Sequence, residues 1–268
     1  MAYRDAVLAD APIGYWELQE TSGTTAADSA GANPGTYTGG YTLAGDGPGG
    51  GLSVAFDGST GYVTVPNHSS MNTNSAMAIE FWMKSSTAGA FDQVVNRGVL
   101  DTNGWAARIN NDATGMLVSF HGLTSVNAGP LGFIPTDGRW HYIVGTYDGA
   151  RIKAYRDGVL GDDWASTGTI TATAAAFEIA RISAQDYYPG SVAHVALYSS
   201  ALSLAQVENH WNAGTRFAGG NAYDDRWRAR PSQFWSGTST LGTKRSVYPE
   251  DSCDGGWRDA VADNRTRT

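Results

Sequence analysis

The sequence predicts an all-β protein, a two-sheet antiparallel jelly-roll sandwich with one short helix after the last strand and an irregular C-terminal arm. Three observations carry this. Short runs of alternating character recur at roughly ten-residue spacing through much of the chain. The chain holds 34 glycines and only 16% charged residues, a composition of many turns and few helices. No strand-like run alternates with a long helical one, which argues against a parallel α/β sheet.

Taken in order, "YRDAVLA" at 3–9 suits a short helical turn that must stop before Pro12. "GYWEL" reads as the first strand, and the segment from Gln19 to Gly51 as loop, with a short strand near Thr36 to Tyr41. The regular runs then follow: Ser53–Phe56, Tyr62–Val65, Met77–Lys84, Gln93–Asn96, Trp105–Ile109 and Met116–Phe120. At 138–161, "GRWHYIVGTYDGARIKAYRDGVLG", Trp140, Tyr142, Val144 and Thr146 share one face while His141, Ile143 and Tyr147 share the other. Asp148-Gly149 and Asp157-Gly158 suit tight reversals, so this stretch is a β-meander, apolar on both faces, whose third strand starts near Val159. Phe177–Ile182 and Ser191–Tyr198 close the strand series. In "SLAQVENHWNAG", Ser203 and Gln206 have capping-box spacing, Leu204, Val207 and Trp211 share a face, and Gly214 marks the end; this helix is expected at the sandwich rim.

After Phe217 the periodicity stops. Residues 1–217 hold 19 acidic and 10 basic side chains, whereas 218–268 hold 7 and 8 together with three tryptophans. We read 1–217 as the folded domain and 218–268 as an extended arm that docks onto a neighbouring subunit or partner, through Trp227, Arg228, Arg230, Phe234, Trp235 and Trp257. Arginine beside aromatics also suits nucleic acid. The arm's balance of about +1 and the acidic domain favour a protein interface instead. Cys253 is the sole cysteine, so no intramolecular disulfide is available. The chain shows no recognisable export signal and no window approaching a membrane span.

The segments "PIGYWELQETSGTTAADSAG", "VAFDGSTGYVTVP", "MAIEFWMKSS", "GRWHYIVGTYDGARIKAYRDGVL" and "GSVAHVALYSSALSLAQVENHW", in this order, resemble the laminin-G-like, pentraxin-like branch of the concanavalin A-like jelly rolls. The resemblance spans about residues 3 to 215. It implies two stacked sheets of roughly six or seven strands each, with Trp140 and Tyr142 filling the space between them and the Asp-Gly turns serving architecture. The opening "YRDAVLADAPIGYWEL" is also similar to jelly-roll domains of bacteriophage tail and other virion proteins, which need no signal peptide.

The resemblance further implies a calcium site built from an early-loop Asp and an acid in the last strand. Asp28 stands at the first place, but Ala193 and His194 occupy the second, so Asp28 reads better as a loop-forming acceptor. No cofactor is expected, and Asp28 is the one calcium candidate. Glycosidases of this fold flank the scissile bond with paired carboxylates. Here "AIEFWMK" offers Glu80 alone, with Trp82 at the next position on the same face, and Glu80 reads as an edge or rim charge. His68, His121, His141, His194 and His210 have no ligand spacing.

Sugars are held by aromatic platforms and polar groups on loops, and two clusters offer both: Asp101, Asn103 and Trp105, and Asp186, Tyr187 and Tyr188. The expected function is a non-enzymatic virion protein of a bacteriophage, tail or particle-surface appendage, present in multiple copies. It is assembled in the bacterial cytoplasm, contacts other virion proteins through the arm, and displays its jelly roll toward host-surface polysaccharide. The alternatives are a free extracellular carbohydrate-binding or adhesion module and, behind it, a glycoside hydrolase. Neither nucleic acid nor membrane insertion is expected.

Overall fold

The computed structural model of the protein describes residues 2–87, 89–110, 115–124, 127–128 and 136–215. The arm residues Trp227, Arg228, Arg230, Phe234, Trp235 and Trp257, and Cys253, lie outside the described residues. Numbered in chain order, the strands are β1 (Gly14–Trp16), β2 (Thr25–Ala26), β3 (Gly35–Thr38), β4 (Tyr41–Asp46), β5 (Leu52–Asp57), β6 (Tyr62–Val65), β7 (Met77–Lys84), β8 (Gln93–Arg97), β9 (Trp105–Ile109), β10 (Met116–Phe120), β11 (Asn127–Ala128), β12 (His141–Tyr147), β13 (Arg151–Arg156), β14 (Val159–Ala165), β15 (Phe177–Ile179) and β16 (Pro189–Tyr198). Two helices, α1 (Tyr3–Ala9) and α2 (Leu204–Gly214), flank them.

The strands form two antiparallel sheets. The first runs β14-β13-β12-β7-β16-β5-β4 with β1 beside β16, and the second runs β11-β10-β9-β8-β15-β6-β3-β2. Each therefore has eight strands among the described residues, more than the six or seven implied by the resemblance. The additional pairing comes from the segment read as loop. Its glycine-rich composition hides β2 and β4, and the expected single strand at 36–41 is cut by a turn at Gly39, whose φ of +74° an L side chain rarely adopts.

Apolar side chains from both sheets interdigitate, among them Trp16, Phe81, Trp105, Ile143, Phe177 and Leu197. The first sheet is also covered on its other face. Tyr15, Ala78, Trp82, Tyr142, Val144 and Tyr198 point there, beneath Tyr3 and Val7 of α1 and Val207 of α2. This corrects the placement of Tyr142 and Trp140: Tyr142 lies in this outer layer, and Trp140 packs partly buried against it rather than between the sheets. Period two assigns Tyr142 and Ile143 to opposite faces but does not say which face meets the second sheet. Both faces are apolar because both are covered.

α2 starts on the expected capping box, with Ser203 accepting from the Gln206 N–H and the Gln206 side chain accepting from the Ser203 N–H. Its buried side is Val207, His210 and Gly214, whereas Leu204 is 48% exposed. Trp211 stacks on Trp82 with ring centroids 5.3 Å apart, and a Cβ on Gly214 would come within 2.4 Å of the Trp82 ring. The helix thus lies across the face of the first sheet, not on the rim. The outer face of the second sheet is polar instead, with Thr36, Thr64, Glu178, Asn96 and Ser119 in one cross-strand row broken only by Ala106.

At the centre of the helix-covered face is Glu80, fully buried on β7. The edge or rim charge expected there is therefore corrected. Tyr198 donates to Oε1 at 2.9 Å, Tyr3 donates to the same oxygen at 3.4 Å, and Tyr142 donates to Oε2. His210 Nδ1 lies 2.9 Å from Oε2, while its Nε2 lies 2.9 Å from Asp10 Oδ2 and 3.1 Å from the Ala6 carbonyl oxygen. Both ring nitrogens face acceptors, which describes an imidazolium donating from each. Burial pulls the His210 pKa down, but Glu80 and Asp10 outweigh it and hold the group above its usual range. β7, β12, β16, α1 and α2 thus meet at one carboxylate.

Removing one partner from a buried charge network leaves the rest uncompensated. Glu80→Gln is therefore expected to lose about 3–5 kcal/mol in urea unfolding. The His210 contribution is complete below the unfolded-state pKa of about 6.5 and is lost as pH rises through the higher folded value. The stability gap between wild type and His210→Gln should accordingly be widest near pH 5.5 and shrink on the alkaline side, read from denaturation curves across that range.

Candidate functional site

The local chemistry of several aspartates is architectural. Asp28 Oδ1 accepts from the backbone N–H groups of Tyr15, Ala30 and Gly31, and its Oδ2 from Asn33, at 2.9–3.1 Å. Its lone pairs are directed inward to the loop. His194 sits at a bulge in β16 with φ of 54°; its Nδ1 is 2.7 Å from the Tyr15 hydroxyl and its Nε2 is 2.9 Å from Gln19 Nε2. Burial pushes the imidazole down to about 3, so His194 is neutral. Among the described residues no group of three or more His, Cys, Asp or Glu side chains is arranged to hold a metal ion. Asp148 and Asp157 accept from the N–H groups of Ala150, Arg151 and Tyr142, which pins the two meander turns.

The two clusters singled out for sugars do not converge. Asp186 lies between β15 and β16, and its carbonyl accepts from the N–H of Gln93 at the start of β8. Asp101 and Asn103 lie beyond the other end of β8, in the turn to β9. The length of β8, about 13 Å at strand rise, separates them. Trp105 is 2% exposed within the inter-sheet core, and Tyr188 is fully buried, so neither ring offers a face to a ligand. Sequence alone could not choose between core and platform for these rings, since both uses select the same residues. Asn103 Oδ1 accepts from the Val99 N–H at 2.9 Å, and Asp101, at φ of 58°, stands 4.0 Å from His121 Nδ1. The His121 ring nitrogens, Arg108 Nε and the Gln93 side-chain oxygen have no hydrogen-bond partner among the described residues, but those atoms are sealed from solvent.

The Asp186 end is more open. Tyr187 is half-buried with its ring edge-on to Tyr62, 6.3 Å between centroids, and the Arg181 guanidinium lies 3.2 Å above the Tyr62 ring. Arg181 also pairs with Glu178 at 2.6 Å. Directly after Tyr188 the chain enters a surface groove of about 470 Å³ between the end of β7 and the start of β16. Phe56 is in its lining, and Lys84, Ser86, Gly138, Gly190 and Ser191 form much of the rest. A second, smaller groove of about 260 Å³ shares Phe56 and continues past Tyr41, Thr42 and Asp57. Lys84 carries its ammonium 5.3 Å from the centroid of Trp140. The turn beside the second groove is rigid, because Asp57 accepts from the N–H groups of Ser59, Thr60 and Gly61 and from the Thr60 hydroxyl.

Gly190 fixes the floor of the groove. A Cβ there would come 2.5 Å from the Lys84 carbonyl oxygen and 2.6 Å from the Tyr188 hydroxyl. That hydroxyl is buried without a hydrogen-bond partner among the described residues, and burial drives its pKa far up, so it stays protonated. The sequence reading came within one residue of this groove through Tyr188 but missed Lys84, Ser86, Gly190 and Ser191. Small residues and one lysine carry no periodic signal; only the "YYPGS" wording, with a turn before a strand, marks the place.

A family model, described as the Concanavalin A-like lectin/glucanases superfamily, matches residues 57–208. No curated protein matches the chain. Among solved structures, domain 4 of AbnA, a GH43 extracellular arabinanase from Geobacillus stearothermophilus, in complex with arabinotriose, is similar with a TM-score of 0.59 and 18% identity over 74% of this chain and 97% of that one. The binding domain of Paraclostridial Mosquitocidal Protein 1 gives 0.61 and 14% over 77% of this chain and 53% of its own. The binding domain of Botulinum Neurotoxin DC in complex with SialylT gives 0.57 and 13% over 76% and 52%. The chain thus spans about half the length of the two toxin domains, and these likenesses establish the fold. Because the Tyr188 hydroxyl lacks a partner, Tyr188→Phe should leave urea stability of the free protein within about 0.5 kcal/mol of wild type or raise it.

Proposed function

The chain belongs to the Concanavalin A-like lectin/glucanases superfamily, and from that premise we propose that it is a non-enzymatic carbohydrate-binding module displayed on the tail or surface of a bacteriophage particle. The observation that carries the binding reading is the open groove beside Lys84 and Gly190. Ser86, Ser191 and Lys84 line it at the strand ends, with Phe56, 5% exposed, at its base. Mixed polar groups over a small apolar surface suit a sugar, whose faces are apolar and whose rim is hydroxylated.

Catalysis is not part of the reading. Glu80, the acid singled out for hydrolysis, has its oxygens engaged by three tyrosines and His210 in a sealed layer beneath the helices, outside the lining of both grooves. The likeness to an arabinanase domain bound to arabinotriose is compatible with sugar binding in such folds and says nothing about which sugar.

The virion assignment rests on the wording of "YRDAVLADAPIGYWEL" and its similarity to phage jelly-roll domains. In it, residues 1–217 are displayed and the arm 218–268 docks on a neighbouring virion protein through Trp227, Arg228, Arg230, Phe234, Trp235 and Trp257. Weak single-site contacts with host polysaccharide gain strength from repeated copies on a particle.

Two measurements test this. The full chain, applied to a glycan array and to bacterial cell-wall polysaccharide, should show saturable binding that chelator does not abolish. An antibody against the chain should decorate the tails of purified particles in electron micrographs, whereas secretion of the free protein by an uninfected bacterium would point to an adhesion module instead.

A further inference from the structure

Resting on the glycan reading of the groove, we infer that its ligand is an acidic saccharide, one whose carboxylate or equivalent anion pairs with Lys84. The chain as a whole is acidic, with a formal net charge of −8. The groove departs from that: its lining holds one lysine and no Asp or Glu.

Neighbouring cations are engaged by carboxylates. Arg181 pairs with Glu178 at 2.6 Å, His141 lies between Asp157 at 2.9 Å and Asp137 at 3.2 Å, and Arg139 faces Asp137 at 4.0 Å. Lys84 makes no ion pair among the described residues. Among the described residues its ammonium lies over the Trp140 ring, which steadies a cation without neutralising it. A lysine at an open groove whose ammonium faces a ring and no carboxylate among the described residues favours an incoming anion, because the interaction with the ring is weaker than a charge-assisted hydrogen bond.

The remaining polar groups complete the case. Ser86 and Ser191 supply hydroxyls at the groove wall. The Tyr188 hydroxyl, buried beneath Gly190, stays protonated and adds no charge to the groove. A groove whose one charged lining residue is a lysine matches a ligand that carries an anion; a neutral sugar would leave the ammonium unmatched.

The test is isothermal titration of the full chain with oligogalacturonate and sialyllactose as acidic probes and lactose and galactan oligosaccharide as neutral ones. The inference expects one of the acidic probes to bind more tightly than its neutral counterpart, with affinity falling as salt rises. Lys84→Met, which keeps the aliphatic stem, should weaken that binding by about tenfold or more, and Lys84→Arg should restore most of it. Neutral probes that bind as well as acidic ones, and are indifferent to Lys84→Met, would overturn the charge assignment while leaving the glycan module intact. Absence of binding to any sugar, acidic or neutral, would overturn both.

Discussion

A single buried carboxylate organises the helix-covered half of this molecule. Glu80 has no exposure to water, so its charge must be matched inside the protein, and the match is drawn from β12, β16, α1 and α2 at once. Each partner is displaced only by losing a hydrogen bond that nothing else there supplies. The consequence is that two short helices from opposite ends of the domain are tied to the same sheet, with α1 further joined to α2 through Asp10, Ala6 and His210.

That arrangement divides the labour between faces and rims. The central strands of one sheet, β7, β12 and β16, are sealed on both sides, by the second sheet and by the helices. The strand ends, held in register by the sheet, are left to carry chemistry, and aspartates such as Asp57 and Asp157 stiffen the turns between them. The groove at Lys84 is built from those ends, β7 on one side and β16 on the other, which are direct neighbours in the sheet with Ser191 opposite Lys84. The proposed ligand capture there would need little rearrangement, since the groove's walls are part of the sandwich.

Much of the fold was legible from the residues. The spans at 62–65, 77–84, 105–109 and 116–120 match the strands, and the Ser203–Gln206 capping box starts the second helix where the spacing said it would. What escaped was anything set by long-range pairing. Glu80 looks like a rim charge because its tyrosine and histidine partners are 62 to 130 residues away in sequence. Trp105 and Tyr188 look like sugar platforms because an aromatic beside a turn is the same word whether it faces inward or out. Of the site candidates, Tyr187 stays at an open rim, while Asp101 and Asn103 are placed at the opposite end of the strand. The groove itself is made of serines, glycines and a lysine, whose meaning comes only from being brought together.

The central claim is that ligand is met at the ends of β7 and β16. The most direct measurement is a titration of the isotope-labelled full chain with acidic oligosaccharide, followed by backbone amide NMR. The account predicts that shifts concentrate on Lys84, Ser85, Ser86, Gly190 and Ser191, with Asp101 and Asn103 unmoved. Shifts confined to Asp101, Asn103 and their neighbours, with the β7 and β16 ends silent, would contradict it.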